Sequence, residues 1–207
     1  VGRTMKYVAL VLKHATRNKR RTLLTLLSVA IAIFLFCALR AVLVAFDAAV
    51  ETGSATRMVV IRSTSIMFLL QRSQQDVIRE IDGVRDISLA SWFGGIYKDP
   101  NNFFSQMAVD PESYLRLYPE IVLDPEARDS FLADRTGAIV GEGLARRFGF
   151  EVGQRVTLQV GIPLYGTEDF TFTIRGVYRA GVAGFDDQSL FFHWKYLDER
   201  SLVADQV

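Results

Sequence analysis

The stretch from Thr22 to Phe46 constrains this chain more than any other. Residues 22–39 read TLLTLLSVAIAIFLFCAL, eighteen positions without a charge; Arg40 follows, and then AVLVAF. As a helix, the eighteen residues span about 27 Å and the whole stretch about 37 Å, at 1.5 Å per residue. The hydrocarbon core of a bilayer is about 30 Å thick. Thr22, Thr25 and Ser28 are tolerable there because their hydroxyls bond back to the helix backbone. A core helix of a soluble domain is seldom apolar on every side for this length. A cleaved signal peptide has a shorter apolar region that ends in small residues. Here the run exits through VAFDAAV, and Leu35-Phe36 before Cys37 is too bulky for a lipoprotein signal. The expectation is a retained transmembrane helix over 22–46.

Charge sorts around this bar. Residues 1–21 carry Arg3, Lys6, Lys13, Arg17, Lys19, Arg20 and Arg21 and no acid, whereas all 23 acids lie from Asp47 onward. The positive-inside bias therefore puts the N-terminus in the cytoplasm and residues 47–207 outside. On a helical wheel Lys6, Lys13, Arg17 and Arg20 fall on one side and Met5, Val8, Val11, Leu12 and Ala15 on another. That suits a basic amphipathic head over 1–21 lying on anionic membrane lipid, with a plain stop-transfer flank as the simpler alternative. Lys13, Arg17, Lys19, Arg20 and Arg21 are the candidate membrane-anchoring residues. Arg40 joins them by snorkelling to the outer headgroups; a polar contact with neighbouring helices is the other option.

The body, 47–207, is acidic, which removes nucleic acid as a partner. The single cysteine, Cys37, excludes an internal disulfide and a cysteine zinc site. The two histidines, His14 and His193, are too few and too far apart for a metal centre. His193 reads as a satisfied strand-end residue. There is no GxSxG and no phosphate-binding GxxxxGK[ST], and Gly141-Glu142-Gly143 lacks the third glycine of a dinucleotide loop. Asp186-Asp187 and Glu168-Asp169 read as solvated turns. Trp92-Phe93, Phe103-Phe104 and Phe191-Phe192 read as core.

The pattern predicts helix past the membrane to Gly53, a strand at Arg57–Arg62, and a helix at Gln74–Ile81 with Val77, Ile78 and Ile81 as its apolar face. Ile66–Leu70 is apolar and ambiguous, a core strand or a membrane-grazing loop. Strands follow around Gly94-Gly95 and at Phe103–Val109. Asp110-Pro111-Glu112 and Asp124-Pro125-Glu126 each place an acid at the N-cap and proline at the first helical position, opening helices at 110–118 and 124–133. Gly137–Gly141 is a buried-type strand and Glu142–Phe148 a helix capped by Gly149; Leu144, Ala145 and Phe148 pack on the sheet, and Val152-Gly153 turns the chain. Val156–Val160 and Phe170–Tyr178 pair as a hairpin, and Leu190–His193 is a last strand. The fold class is α+β: one N-terminal transmembrane helix followed by a mixed α+β extracytoplasmic domain.

The opening MKYVALVLKHATRNKRRTLLTLLSVAIAIFLF resembles the first helix of FtsX-like/MacB-like ABC transporter permeases, with its basic RNKRRT step into the membrane. Residues 133–158, ADRTGAIVGEGLARRFGFEVGQRVTL, resemble the hallmark of their MacB-like periplasmic core domain, with Gln154 where an acidic residue is common. The positions carrying that motif are Gly137, Gly141, Leu144, Phe148, Gly149 and Gly153, all structural. The WFGGIYKDPNNFF stretch is similar to a stand-alone permease branch.

The resemblance implies a bacterial inner-membrane permease subunit that is not an enzyme. In such a protein three further helices follow the outer domain, so 47–207 is expected to be cut short at its C-terminal end. The family's permeases dimerise, as homo- or heterodimers, and couple ATP hydrolysis by a separate cytoplasmic ABC ATPase subunit to movement of the outer domain. That movement serves export, lipoprotein extraction or mechanotransmission. The chain itself then needs no cofactor, ATP being bound by the partner, and its substrate is unknown. Two readings from other classes stay open: a single-span receptor with an extracytoplasmic ligand-binding domain, and a membrane-anchored enzyme.

Overall fold

The computed structural model describes residues 17–52, 57–62, 69–202 and 206. They fall into two compact units, divided after Ala55.

The first unit is one helix, α1 (Lys19–Thr52). Lys19–Val44 is long and apolar enough to cross a membrane, and none of it is buried within the protein. Leu, Ile, Val and Phe side chains are exposed around its whole circumference. The expected hydroxyl bonds are present: Thr25 Oγ1 donates to the Arg21 carbonyl at 2.9 Å and Ser28 Oγ to that of Thr25 at 3.1 Å. The helix runs through Asp47 to Thr52, as the sequence suggested. Lys13 and the rest of the head up to residue 16 lie outside the described residues.

The second unit is a mixed sheet covered on both faces by short helices. Its elements are α2 (Gln74–Arg79), β1 (Ala90–Trp92), β2 (Ser105–Val109), α3 (Pro111–Leu117), β3 (Ile121–Val122), α4 (Pro125–Ala133), β4 (Gly137–Gly141), α5 (Glu142–Phe148), β5 (Arg155–Leu158), a 3-10 turn (Pro163–Tyr165), β6 (Phe170–Ala180), β7 (Ser189–His193) and α6 (Trp194–Asp198). The strand order is β1-β2-β7-β4-β6-β3, with β5 also paired to β6. β2 with β7 and β4 with β6 are parallel; the other pairs are antiparallel, including the expected β5–β6 hairpin.

The two central strands, β4 and β7, are buried at every position, so successive side chains feed two cores. Ala138 and Val140 join Phe93, Phe104, Phe172, Phe192, Leu144 and Trp194 on one face. Ile139 joins Val109, Tyr114, Phe131, Tyr178 and Phe191 on the other. Helices α5 and α6 cover the first core through Leu144 and Leu197; α3 and α4 cover the second through Tyr114 and Phe131. Each fully buried phenylalanine contributes roughly 1.5–3 kcal/mol over its exposed state.

A bulge lies between β4 and β6. Ala138 faces Ile174, but Ile139 faces Gly176, leaving Arg175 as the extra residue. Phe170, Phe172 and Ile174 therefore belong to the first core, whereas Tyr178 belongs to the second and Val177 packs on the first. α4 sits on the bulge: a Cβ at Gly176 would meet the Ala127 methyl at 2.9 Å.

Four sequence expectations are corrected. Residues 57–62 form no strand; Met58–Ile61 are exposed and unpaired within the sheet. Helix α2 exists, but no residue of it is buried, and Val77 and Ile81 point to solvent at 65% and 56% exposure. Gln75 and Ile78 are its half-buried positions, while Asp76 and Arg79 are exposed. In the aromatic pairs Phe93, Phe104, Phe191 and Phe192 are core, but Trp92 and Phe103 are exposed. Asp110 and Asp124 hold the N-cap positions without a side-chain capping bond; Asp110 accepts from the Ser113 hydroxyl at 2.5 Å instead.

Candidate functional site

A cleft of about 820 Å³ opens at the carboxyl ends of the parallel strands β2 and β7. Parallel neighbours place successive strand-to-helix turns side by side, and the gap between them is a common ligand position. Here Val109 and His193 end the two strands, Asp110-Pro111-Glu112 opens α3, and Trp194-Lys195 opens α6. The opposite wall is Arg72 and Ser73, just before α2, with Gln75, Asp76 and Arg79 of the helix.

The charges nearly balance, three acids (Asp76, Asp110, Glu112) against Arg72, Arg79 and Lys195. Arg79 pairs with Asp76 at 3.6 Å, and the Arg72 guanidinium lies over the Trp194 ring at 5.2 Å. His193 is buried beneath them, its Nε2 bonded to the Phe131 carbonyl at 2.7 Å. Burial holds its pKa below the ordinary value, against the opposing pull of that carbonyl, Asp134 and Asp110. The expectation of a satisfied strand-end histidine stands. Its bond to Phe131 ties that nitrogen to structure rather than to a nucleophile, and among the described residues no three metal-ligating side chains converge. The cleft can hydrogen-bond and pair charges of both signs.

The motif residues lie elsewhere, between β4 and α5. Gly137 and Gly141 are the ends of β4, Leu144 is fully buried, Phe148 is half-buried, and Gly149 caps α5 at φ +68°. Gly153 turns the chain at φ +88°, its N–H donating to the Ile174 carbonyl at 2.7 Å. The loop 186–188 lies across the start of α5: Leu144 N–H donates to the Asp187 carbonyl at 3.0 Å, and Cβ atoms at Gly141 and Gly143 would collide with Asp187 and Gln188. The acids read as solvated turns do lie in loops, with Glu168, Asp169 and Asp186 exposed. Asp186 accepts from Gln188 N–H and from the Ser189 hydroxyl, while Glu168 pairs with Arg200 at 2.6 Å. Arg17, Lys19, Arg20, Arg21 and Arg40 are all exposed on or just before α1.

One charged cluster had no sequence signal. Arg57 Nη1 donates to Glu120 Oε2 at 2.8 Å and to the Leu117 carbonyl at 3.0 Å, and Nη2 donates to Glu120 Oε1. The guanidinium lies 4.5 Å over the Tyr118 ring, and the paired side chains are only 19% and 15% exposed. The hydrogen bond from Arg57 holds the Glu120 carboxyl below its usual pKa, and Glu120 raises that of Arg57. Sixty-three residues separate the partners, so no local pattern announces them.

The family model of the MacB-like periplasmic core domain matches residues 22–207, nearly the whole chain. The chain belongs to that family. No curated protein matches it. Among solved structures it is similar to a permease-protein domain from Porphyromonas gingivalis, at 23% identity over 62% of this chain and 58% of that one, TM-score 0.41. It is also similar to the periplasmic region of MacB from Actinobacillus actinomycetemcomitans, at 11% identity over 69% and 64%, TM-score 0.44. A third similarity is to the extracellular domain of the noncanonic ABC-type transporter YknZ from Gram-positive bacteria, at 14% over 67% and 70%, TM-score 0.44. The chain thus spans less than two thirds of the length of the first two.

Proposed function

We propose that this chain is the N-terminal part of the membrane permease subunit of an ABC transporter in the bacterial inner membrane. The observation that carries the reading is the extent of the family match. It begins within α1 and runs through the sheet domain, so that a single family match spans the exposed apolar helix and the periplasmic core domain. In this reading Lys13, Arg17, Lys19, Arg20 and Arg21 stay in the cytoplasm against anionic lipid, α1 crosses once, and the acidic body stands outside. A separate cytoplasmic ATPase binds and hydrolyses ATP. The permease works as a dimer, and α1 passes the ATPase's work to the outer domain. The chain's own part is mechanical and non-catalytic, and it needs no bound cofactor.

Reporter fusions after Gly53 test the topology. A reporter active only outside the cytoplasm should be active there, and one active only in the cytoplasm silent. The reverse pattern overturns the reading.

A further inference from the structure

Among the described residues, Arg57 is the first after α1 whose side chain is held by the sheet domain. We propose that Arg57 is a positioning residue through which a displacement of the preceding chain is delivered to the domain, at the corner between α3 and β3. The inference rests on the permease reading only for the source of that displacement.

The geometry suits a mechanical fixing point. The guanidinium is gripped on three sides, by both oxygens of Glu120, by the Leu117 carbonyl and by the face of Tyr118. A planar fork in such a grip cannot turn away without breaking several charge-assisted bonds at once. Behind it the load has two routes. Tyr118 stacks on Tyr114 at 4.4 Å, and Tyr114 leans on Phe191 at 5.2 Å in the second core. The Glu120 carbonyl accepts from Gly181 N–H at 2.7 Å, and the next residue, Ile121, pairs with Ala180 of β6.

The residues that follow Arg57 are not held in the same way. Met58–Ile61 are 53–85% exposed and pair with no strand. Leu69 is the next described residue packed on a core. Freeing Arg57 would therefore release at least the chain to Arg62, up to about 17 Å when extended at roughly 3.3–3.6 Å per residue.

Force spectroscopy on the whole chain in a lipid nanodisc tests this, with handles at Ser54→Cys and Val152→Cys in a Cys37→Ser background. The unaltered clamp should give a discrete extension step before the domain unfolds. Arg57→Gln should abolish that step, and so should Glu120→Gln, which keeps the shape of the carboxylate. Arg62→Gln should leave it in place. A step that persists in both clamp variants, or that Arg62→Gln also removes, overturns the proposal. ATP turnover by the partner ATPase with the full permease is measured separately. Absence of permease-dependent turnover would overturn the permease reading and leave the force step to decide the anchor.

Discussion

Gly141 and Asp187 meet backbone to backbone: a Cβ atom on Gly141 would stand 2.0 Å from the Asp187 carbonyl oxygen. The same loop closes over Gly143, and Leu144 N–H bonds to that oxygen at 3.0 Å. Two glycines that look like half of a phosphate loop are there to let a neighbouring turn lie flat on the start of α5.

Gly141→Ala should therefore destabilise the domain by about 3 kcal/mol or more, since rigid backbone cannot give way. Gly149→Ala should cost only about 1 kcal/mol, because its Cβ meets nothing and the penalty is the left-handed conformation alone. Thermal melts of the two variants would check the order; equal losses would refute it.

Gln106 is fully buried and acts as a strand partner in miniature. Its Nε2 donates to the Gly95 carbonyl at 2.9 Å and its Oε1 accepts from Gly95 N–H at 2.5 Å. Gln106→Leu should cost about 3 kcal/mol in denaturant unfolding, because both backbone groups of Gly95 lose their partner inside the protein. A loss below about 1 kcal/mol would mean that water replaces the amide.

Ser91 offers the opposite case. Its hydroxyl is buried and, among the described residues, has no hydrogen-bond partner. Ser91→Ala removes an unpaid desolvation and should raise stability by about 1 kcal/mol. A lower denaturation midpoint would contradict this.

His193 makes stability depend on pH. Burial lowers its folded pKa below the unfolded value near 6.5. Above that value the ring is neutral in both states and no penalty exists. As pH falls below about 6.5 the unfolded chain takes up the proton first, so stability declines until the folded pKa is passed. His193→Gln, which can still donate to Phe131, should flatten the change in melting temperature between pH 7 and pH 5. An unchanged slope would show that other groups carry it.

Val77→Lys and Ile81→Lys together should shift stability by no more than about 0.5 kcal/mol, since both side chains already face solvent. A loss of several kcal/mol would restore the inward face that helical periodicity suggests.

Sequence by itself determined the elements whose cause is local. Eighteen uncharged residues from Thr22 dictate a helix because nothing else satisfies their backbone in lipid. The strand–helix–glycine unit from Gly137 to Gly149 is legible because burial, capping and left-handed closure are each written within a few residues. Tertiary structure decided which way those elements face. β6 alternates without interruption from Phe170 to Tyr178, yet the bulge at Arg175 sends the two halves into different cores. Period-two patterning records that a residue is buried, not which side of the sheet buries it. α2 leaves Val77 in solvent although its own sequence offers it as part of an apolar face, and Arg57 finds Glu120 across 63 residues. Such pairings depend on groups brought together only after the chain has closed its long loops, so no window of neighbouring residues contains them.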